Sequence, residues 1–152
     1  MILNLIKNEV NMDYIKMERV WQDNDMFRLK VLCVSDIISV STNIYIDDYH
    51  INTLINKLNL FINNEIEHFQ FLVSQKGNAT ANCLSMDFYK KDKLGHILIE
   101  VYIELLDGGD FDTHNCCFYI KSEIGLLWQF LHDLPSIKEP IIGSCITLNM
   151  PQ

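Results

Sequence analysis

The chemistry-capable side chains of this sequence gather in the turn Asp107-Gly108-Gly109-Asp110-Phe111-Asp112-Thr113-His114, with Cys116 two positions beyond it. Three carboxylates and an imidazole within eight residues are enough donors for a hard cation or for zinc. Their spacing fits neither, because an EF-hand needs a D-x-[DN]-x-[DN]-G run closed by a distant Glu, and zinc sites need spaced Cys and His ligands. The expected role is a solvated loop of turn formers, with no metal and no cofactor. His114 and Cys116 stand two apart on a strand and share a face, the arrangement of a thiolate–imidazole pair, but no third group is evident to orient the ring. Glu100 and Glu104 are four apart on one strand, about 13 Å at the usual rise per residue, too far for a coupled acid–base pair. No P-loop, G-x-S-x-G, G-x-G-x-x-G or H-E-x-x-H occurs, and Gly143-Ser144-Cys145 lacks the context of a nucleophile elbow. The enzyme alternative is therefore a small hydrolase or metal-dependent activity centred on the Asp107–Cys116 turn.

The elements that position these residues are strands. Ile97, Ile99, Val101, Ile103 and Leu105 alternate with His96, Glu100, Tyr102 and Glu104, which predicts a strand with one buried and one wet face over His96–Leu106. Flanking it, Asn82–Lys90 and Cys116–Lys121 predict two more strands. Upstream, Phe27, Leu29, Val31 and Cys33, then Ile38, Val40, Thr42, Ile44 and Ile46, alternate on either side of Ser35-Asp36 as a β-hairpin. Asp47 and Asp48 stand where an N-cap and a first-turn carboxylate belong, ahead of Ile51, Leu54, Ile55, Leu58, Phe61 and Ile62 at helical spacing. Ser122 is the expected N-cap of a second helix, carrying Ile124, Leu127, Trp128, Leu131 and Leu134 and stopped by Pro135. Residues 65–75 hint at an extended piece through Phe69, Phe71 and Val73, and Cys145–Leu148 at an edge strand. Met1–Met17 admits either a helix or an irregular strand. The expected architecture is one α+β domain spanning residues 1–152, a mostly antiparallel sheet of about five to six strands with two amphipathic helices packed on one face.

At 152 residues the chain can bury a sizeable core without disulfides or a structural metal. No apolar run is long enough for a transmembrane helix, and the apolar start is too short for a signal peptide. Five cysteines with no C-x-x-C pair point to reduced thiols and a cytoplasmic location. The net charge of -8, with no basic stripe, argues against nucleic acid and favours a basic partner.

The wet side of the predicted sheet collects Tyr45, Tyr89, Tyr102 and Tyr119 with Asp87, Glu100, Glu104, Arg28, Lys30 and His96. Tyrosine supplies contact area with a polar tip and few rotors to freeze, so this composition reads as a protein-binding face; tyrosine is also simply a good exposed β-former. Tyr45, Asp87, Tyr89, Glu100, Tyr102, Glu104 and Tyr119 are the candidate contact residues. A structural or oligomerisation domain, pairing copies through this face or an edge strand, is the remaining alternative.

Four segments occur in the order seen in a known family: Val20-Trp21-Gln22-Asp23-Asn24-Asp25-Met26-Phe27-Arg28-Leu29-Lys30-Val31, Leu54-Ile55-Asn56-Lys57-Leu58, Gly95-His96-Ile97-Leu98-Ile99-Glu100-Val101, and Leu127-Trp128-Gln129-Phe130-Leu131-His132-Asp133-Leu134. Over residues 20–134 the chain resembles the WapI-like immunity proteins of bacterial polymorphic toxin systems. The resemblance implies a small, non-enzymatic cytoplasmic protein that binds and neutralises a cognate toxin domain. It carries over no site residues, because immunity surfaces differ with each toxin.

Overall fold

The computed structural model describes residues 13–75, 77, 81–106 and 113–149. Strand β1 (Tyr14–Gln22) resolves the ambiguous N-terminal stretch from Tyr14 onward in favour of extended chain. Ile15, Met17 and Arg19 point inward there, and the inward arginine is what blurs the period in the sequence. An Asx turn, in which the Asp23 carboxylate accepts from the Asp25 and Met26 amides, links β1 to β2 (Phe27–Val34). The Ser35 hydroxyl accepts from the Ile37 and Ile38 amides at the next turn, fixing the expected hairpin between β2 and β3 (Ser39–Ile46).

Helix α1 (Asp48–Ile62) starts as its residues dictate. The Asp47 carboxylate accepts from the His50 amide at 3.1 Å, and the His50 ring nitrogen Nδ1 lies 2.8 Å from the same oxygen. That side-chain bond holds the Asp47 carboxyl below its ordinary range. A carboxyl depressed in the folded state contributes stability above its unfolded pKa, and the contribution is lost as pH falls through the depressed value. Ile51, Leu54, Leu58 and Phe61 form the buried stripe.

After α1 the chain enters a second sheet: β4 (His68–Val73), β5 (Cys83–Lys90), β6 (His96–Leu106) and β7 (Thr113–Glu123). Helix α2 (Ile124–Asp133) follows directly, Pro135 sits in a 3-10 turn over Leu134–Lys138 instead of ending all helical structure, and β8 (Cys145–Leu148) returns to pair with β1. The fold is thus α+β with two antiparallel four-stranded sheets, β3-β2-β1-β8 (sheet one) and β4-β5-β6-β7 (sheet two). This corrects the expectation of one sheet of five to six strands covered on one face by both helices. Side-chain period reports which face of a strand is buried, but not which strands share a sheet.

Each helix bridges the sheets: α1 touches β3 and β4, α2 touches β7 and β8, and the helices touch each other. The inner faces accordingly merge into one cluster that contains Leu54, Leu58, Ile99, Val101, Ile103, Phe118, Leu127 and Leu131, as the periods require. Phe61 of α1 meets Phe69 and Phe88 edge-on, at centroid separations of 5.5 and 6.3 Å.

Polar bonds close the far seam between the sheets. The Lys121 amide donates to the Asp13 carboxylate at 2.9 Å, and the Asn149 side-chain amide donates to the carbonyls of Asp13 and Lys121. Ser122 is committed here too: its hydroxyl donates to Asn149 at 2.7 Å, so it does not cap α2. The cap position is Glu123, without a side-chain cap bond, and the Ile124 amide finds the Gly95 carbonyl instead.

Candidate protein-binding face

The register of sheet two decides which side chains meet on its outer side. Across β4, β5, β6 and β7, one row runs His68, Tyr89, Leu98, Lys121; the next Gln70, Asp87, Glu100, Tyr119; the next Leu72, Ser85, Tyr102, Cys117. Glu100 is the centre of this face, with Asp87 and Tyr119 directly beside it on the neighbouring strands and Tyr89 and Tyr102 one step away. The helices bury their apolar stripes in the core on the opposite side. Tyr89 and Tyr119 are 36% and 49% exposed.

Uncharged amide, hydroxyl and thiol donors and one imidazole support the two carboxylates. Asp87 receives Gln70 Nε2 at 3.3 Å and Ser85 Oγ at 3.4 Å, with His68 Nε2 at 3.2 Å; the His68 ring in turn stacks on Tyr89 at 4.4 Å. Glu100 receives the Cys117 thiol at 3.5 Å. Among the described residues no lysine or arginine forms an ion pair with either. Their field reaches the phenols: Glu100 foremost pushes the Tyr119 pKa up, while Tyr89 is raised by burial, then by Asp87 and Glu100. Both therefore stay protonated, with an O–H to donate, across the physiological range.

Five of the seven candidate contact residues, Asp87, Tyr89, Glu100, Tyr102 and Tyr119, thus share one open surface. The other two do not join it as expected. Tyr45 lies on the outer side of sheet one, edge-on to Trp21 at 5.9 Å and opposite Arg28, and Lys30 lies on that sheet as well. Outward alternation was legible in the sequence; the separation of β3 from β5 into different sheets was not. Glu104 is on the outer side of sheet two but is only 8% exposed, its two carboxylate oxygens accepting from the Gly77 amide at 3.1 and 2.8 Å. It fastens the β4–β5 connection. His96 is tied to Asp92 in the β5–β6 turn at 2.6 Å. Leu72, Gln70, His68 and Cys117 were missed, because β4 has only six residues and Cys117 falls beside a second cysteine.

The Glu104 arrangement predicts a local effect. Glu104→Gln retains one acceptor and replaces the other with a donor that clashes with the Gly77 amide, so hydrogen-exchange protection of Gly77 is expected to fall at least about tenfold while the β6 amides stay protected. Unchanged exchange at Gly77 would show that the carboxylate does not hold the connection.

Of the turn read as the enzyme alternative, Asp107, Asp110 and Asp112 lie outside the described residues. Among the described residues no group of three His, Cys, Asp or Glu could hold a metal ion. Cys116 stands on the same side of β7 as His114, but burial pushes its thiol pKa up, the opposite of nucleophile activation. Cys33 is a small core residue and Cys83 is buried beside Glu104 on the outer side of sheet two; burial pushes the Cys33 thiol up to about 12. No described helix is long and apolar enough to cross a membrane. The resemblance to the immunity proteins rests on the four quoted segments, and no family model, curated protein or solved structure matches the chain.

Proposed function

We propose that this protein is a non-enzymatic binding module whose outer face of sheet two captures a basic protein, and that it serves as a cytoplasmic immunity protein against a toxin domain. One observation carries this reading: Glu100, with no lysine or arginine partner among the described residues, is set among Asp87, Tyr89, Tyr102 and Tyr119 on a face that no described helix covers. A rigid sheet holding aromatic rings around carboxylates that no described lysine or arginine pairs suits the side chains of a basic surface, through ionic, hydrogen-bond and cation–π contact. The net charge of -8 supports fast, steered capture, which protection from a toxin demands.

The two contributions separate kinetically. Glu100→Lys is expected mainly to lower the association rate and flatten its salt dependence. Tyr119→Ala is expected mainly to speed dissociation, by about 1–3 kcal/mol if the ring is a central anchor. The deciding experiment expresses the neighbouring toxin gene and scores growth. Wild type should protect and the folded double variant should not. Protection by that variant would move the interface elsewhere, and failure of wild type would count against immunity.

A further inference from the structure

A cleft of about 460 Å³ opens where the end of β3 faces the ends of β4, β5 and β6, away from the tyrosine face. Its polar lining includes Arg28, Asn43, Tyr45, His50, Ser74 and Asn82, and one wall is apolar, formed by Ile44, Val73 and Leu106. In a chain with 20 acidic residues, no carboxylate lines this cleft among the described residues.

Arg28 is the informative group. It forms no ion pair with a described carboxylate, and among the described residues its hydrogen-bond partner is the Tyr45 hydroxyl, 3.4 Å from Nη1. Its Nε is shut off from solvent with no acceptor, so the positive charge is open to stabilisation only through the terminal nitrogens. His50, in the first turn of α1, adds a second basic side chain, its Nδ1 held by Asp47. Asn82 bridges the cleft's two sides by donating to the Asn43 carbonyl at 3.3 Å while accepting from the Leu106 amide at 2.9 Å, which fixes the spacing of the walls.

We propose that this cleft binds a small organic oxyanion, a phosphate or carboxylate carried on an apolar body, with the anionic group on Arg28 and the Tyr45 hydroxyl and the body against Ile44, Val73 and Leu106. A planar guanidinium fork without a carboxylate partner among the described residues matches either oxyanion, and the apolar wall favours a ligand larger than the bare ion. The site is independent of the toxin-binding reading and stands or falls separately from it.

The test is an amide-shift titration of the full chain with phenyl phosphate, benzoate, inorganic phosphate and neutral benzyl alcohol. Phenyl phosphate or benzoate is expected to shift Asn43, Tyr45, His50 and Asn82 saturably, more tightly than inorganic phosphate, with no saturation by benzyl alcohol. Phenyl phosphate ahead of benzoate identifies a phosphorylated ligand, and the reverse order a carboxylate. Arg28→Gln is expected to weaken binding roughly tenfold or more. Should that variant melt early, Arg28→Lys carries the comparison: it keeps the charge, loses the fork, and is expected to weaken binding several-fold. No saturation below about 10 mM of either aromatic anion, equal binding by benzyl alcohol, or unchanged affinity in a folded Arg28 variant would overturn the site.

Discussion

Val101→Asp is expected to leave the chain without a cooperative fold at 37 °C. Val101 is fully buried in the middle of β6, between Met86 on β5 and Phe118 on β7. A carboxylate there would find neither water nor a described cation, and an unpaired buried charge costs several kcal/mol even after it protonates. That is a large part of the roughly 5–15 kcal/mol by which a domain is stable at all. Leu58→Ala, at a fully buried position of α1, is the milder companion, expected to cost about 2–5 kcal/mol and lower the melting temperature by on the order of 10 °C. Circular-dichroism melts check both. If either variant melted within a degree or so of wild type, the shared core of the two sheets and α1 would have to be redrawn.

The second large effect is expected at Arg19, a charged residue that sits inside. It is 3% exposed on the inner side of β1, where Nε and Nη2 donate to the Ile137 carbonyl at 3.2 and 2.7 Å and Nη1 donates to Gln22 at 3.1 Å. The guanidinium carbon lies 3.7 Å from the Phe27 ring centroid, and burial lowers the Arg19 pKa, with Asp48 opposing. Backbone bonds at the same residue hold the segment after the 3-10 turn: the Arg19 amide donates to the Ser144 carbonyl, and the Gly143 amide donates to the Arg19 carbonyl. Arg19 thereby ties sheet one to the polypeptide that joins α2 to β8. Arg19→Ala orphans the Ile137 carbonyl, removes the stacking and leaves a void, for an expected loss of about 2–4 kcal/mol. Arg19→Lys restores the charge but not the fork, and should recover less than half of that loss. Chemical denaturation measures both, and a fully stable Arg19→Ala would show that the side chain is not a structural tie.

Some of this was written locally. The alternation of Ile97, Ile99, Val101 and Ile103 is realised in β6, and the Asp47 cap with its Ile51-Leu54-Leu58 stripe is realised in α1, because both signals depend only on neighbours a few residues apart. The outward placement of Tyr89, Tyr102, Tyr119, Asp87 and Glu100 was legible for the same reason: β5, β6 and β7 pair in sequence order, so the local pattern carries directly into the sheet. Partnership at long range was decided by the tertiary structure alone. β8 pairs with β1 across most of the chain and β3 does not pair with β4, choices that no period records; the second puts Tyr45 and Tyr102 on different sheets. Ser122 has the residue type of an N-cap, yet its hydroxyl goes to Asn149, 27 positions away, because the seam between the sheets brings that acceptor closer. Glu104 reads as an open-face acid, and nothing local to Arg19 signals its burial. Each is buried because a distant backbone group, the Ile137 carbonyl or the Gly77 amide, arrives to satisfy it, and a polar side chain can leave water only where the fold supplies such a partner.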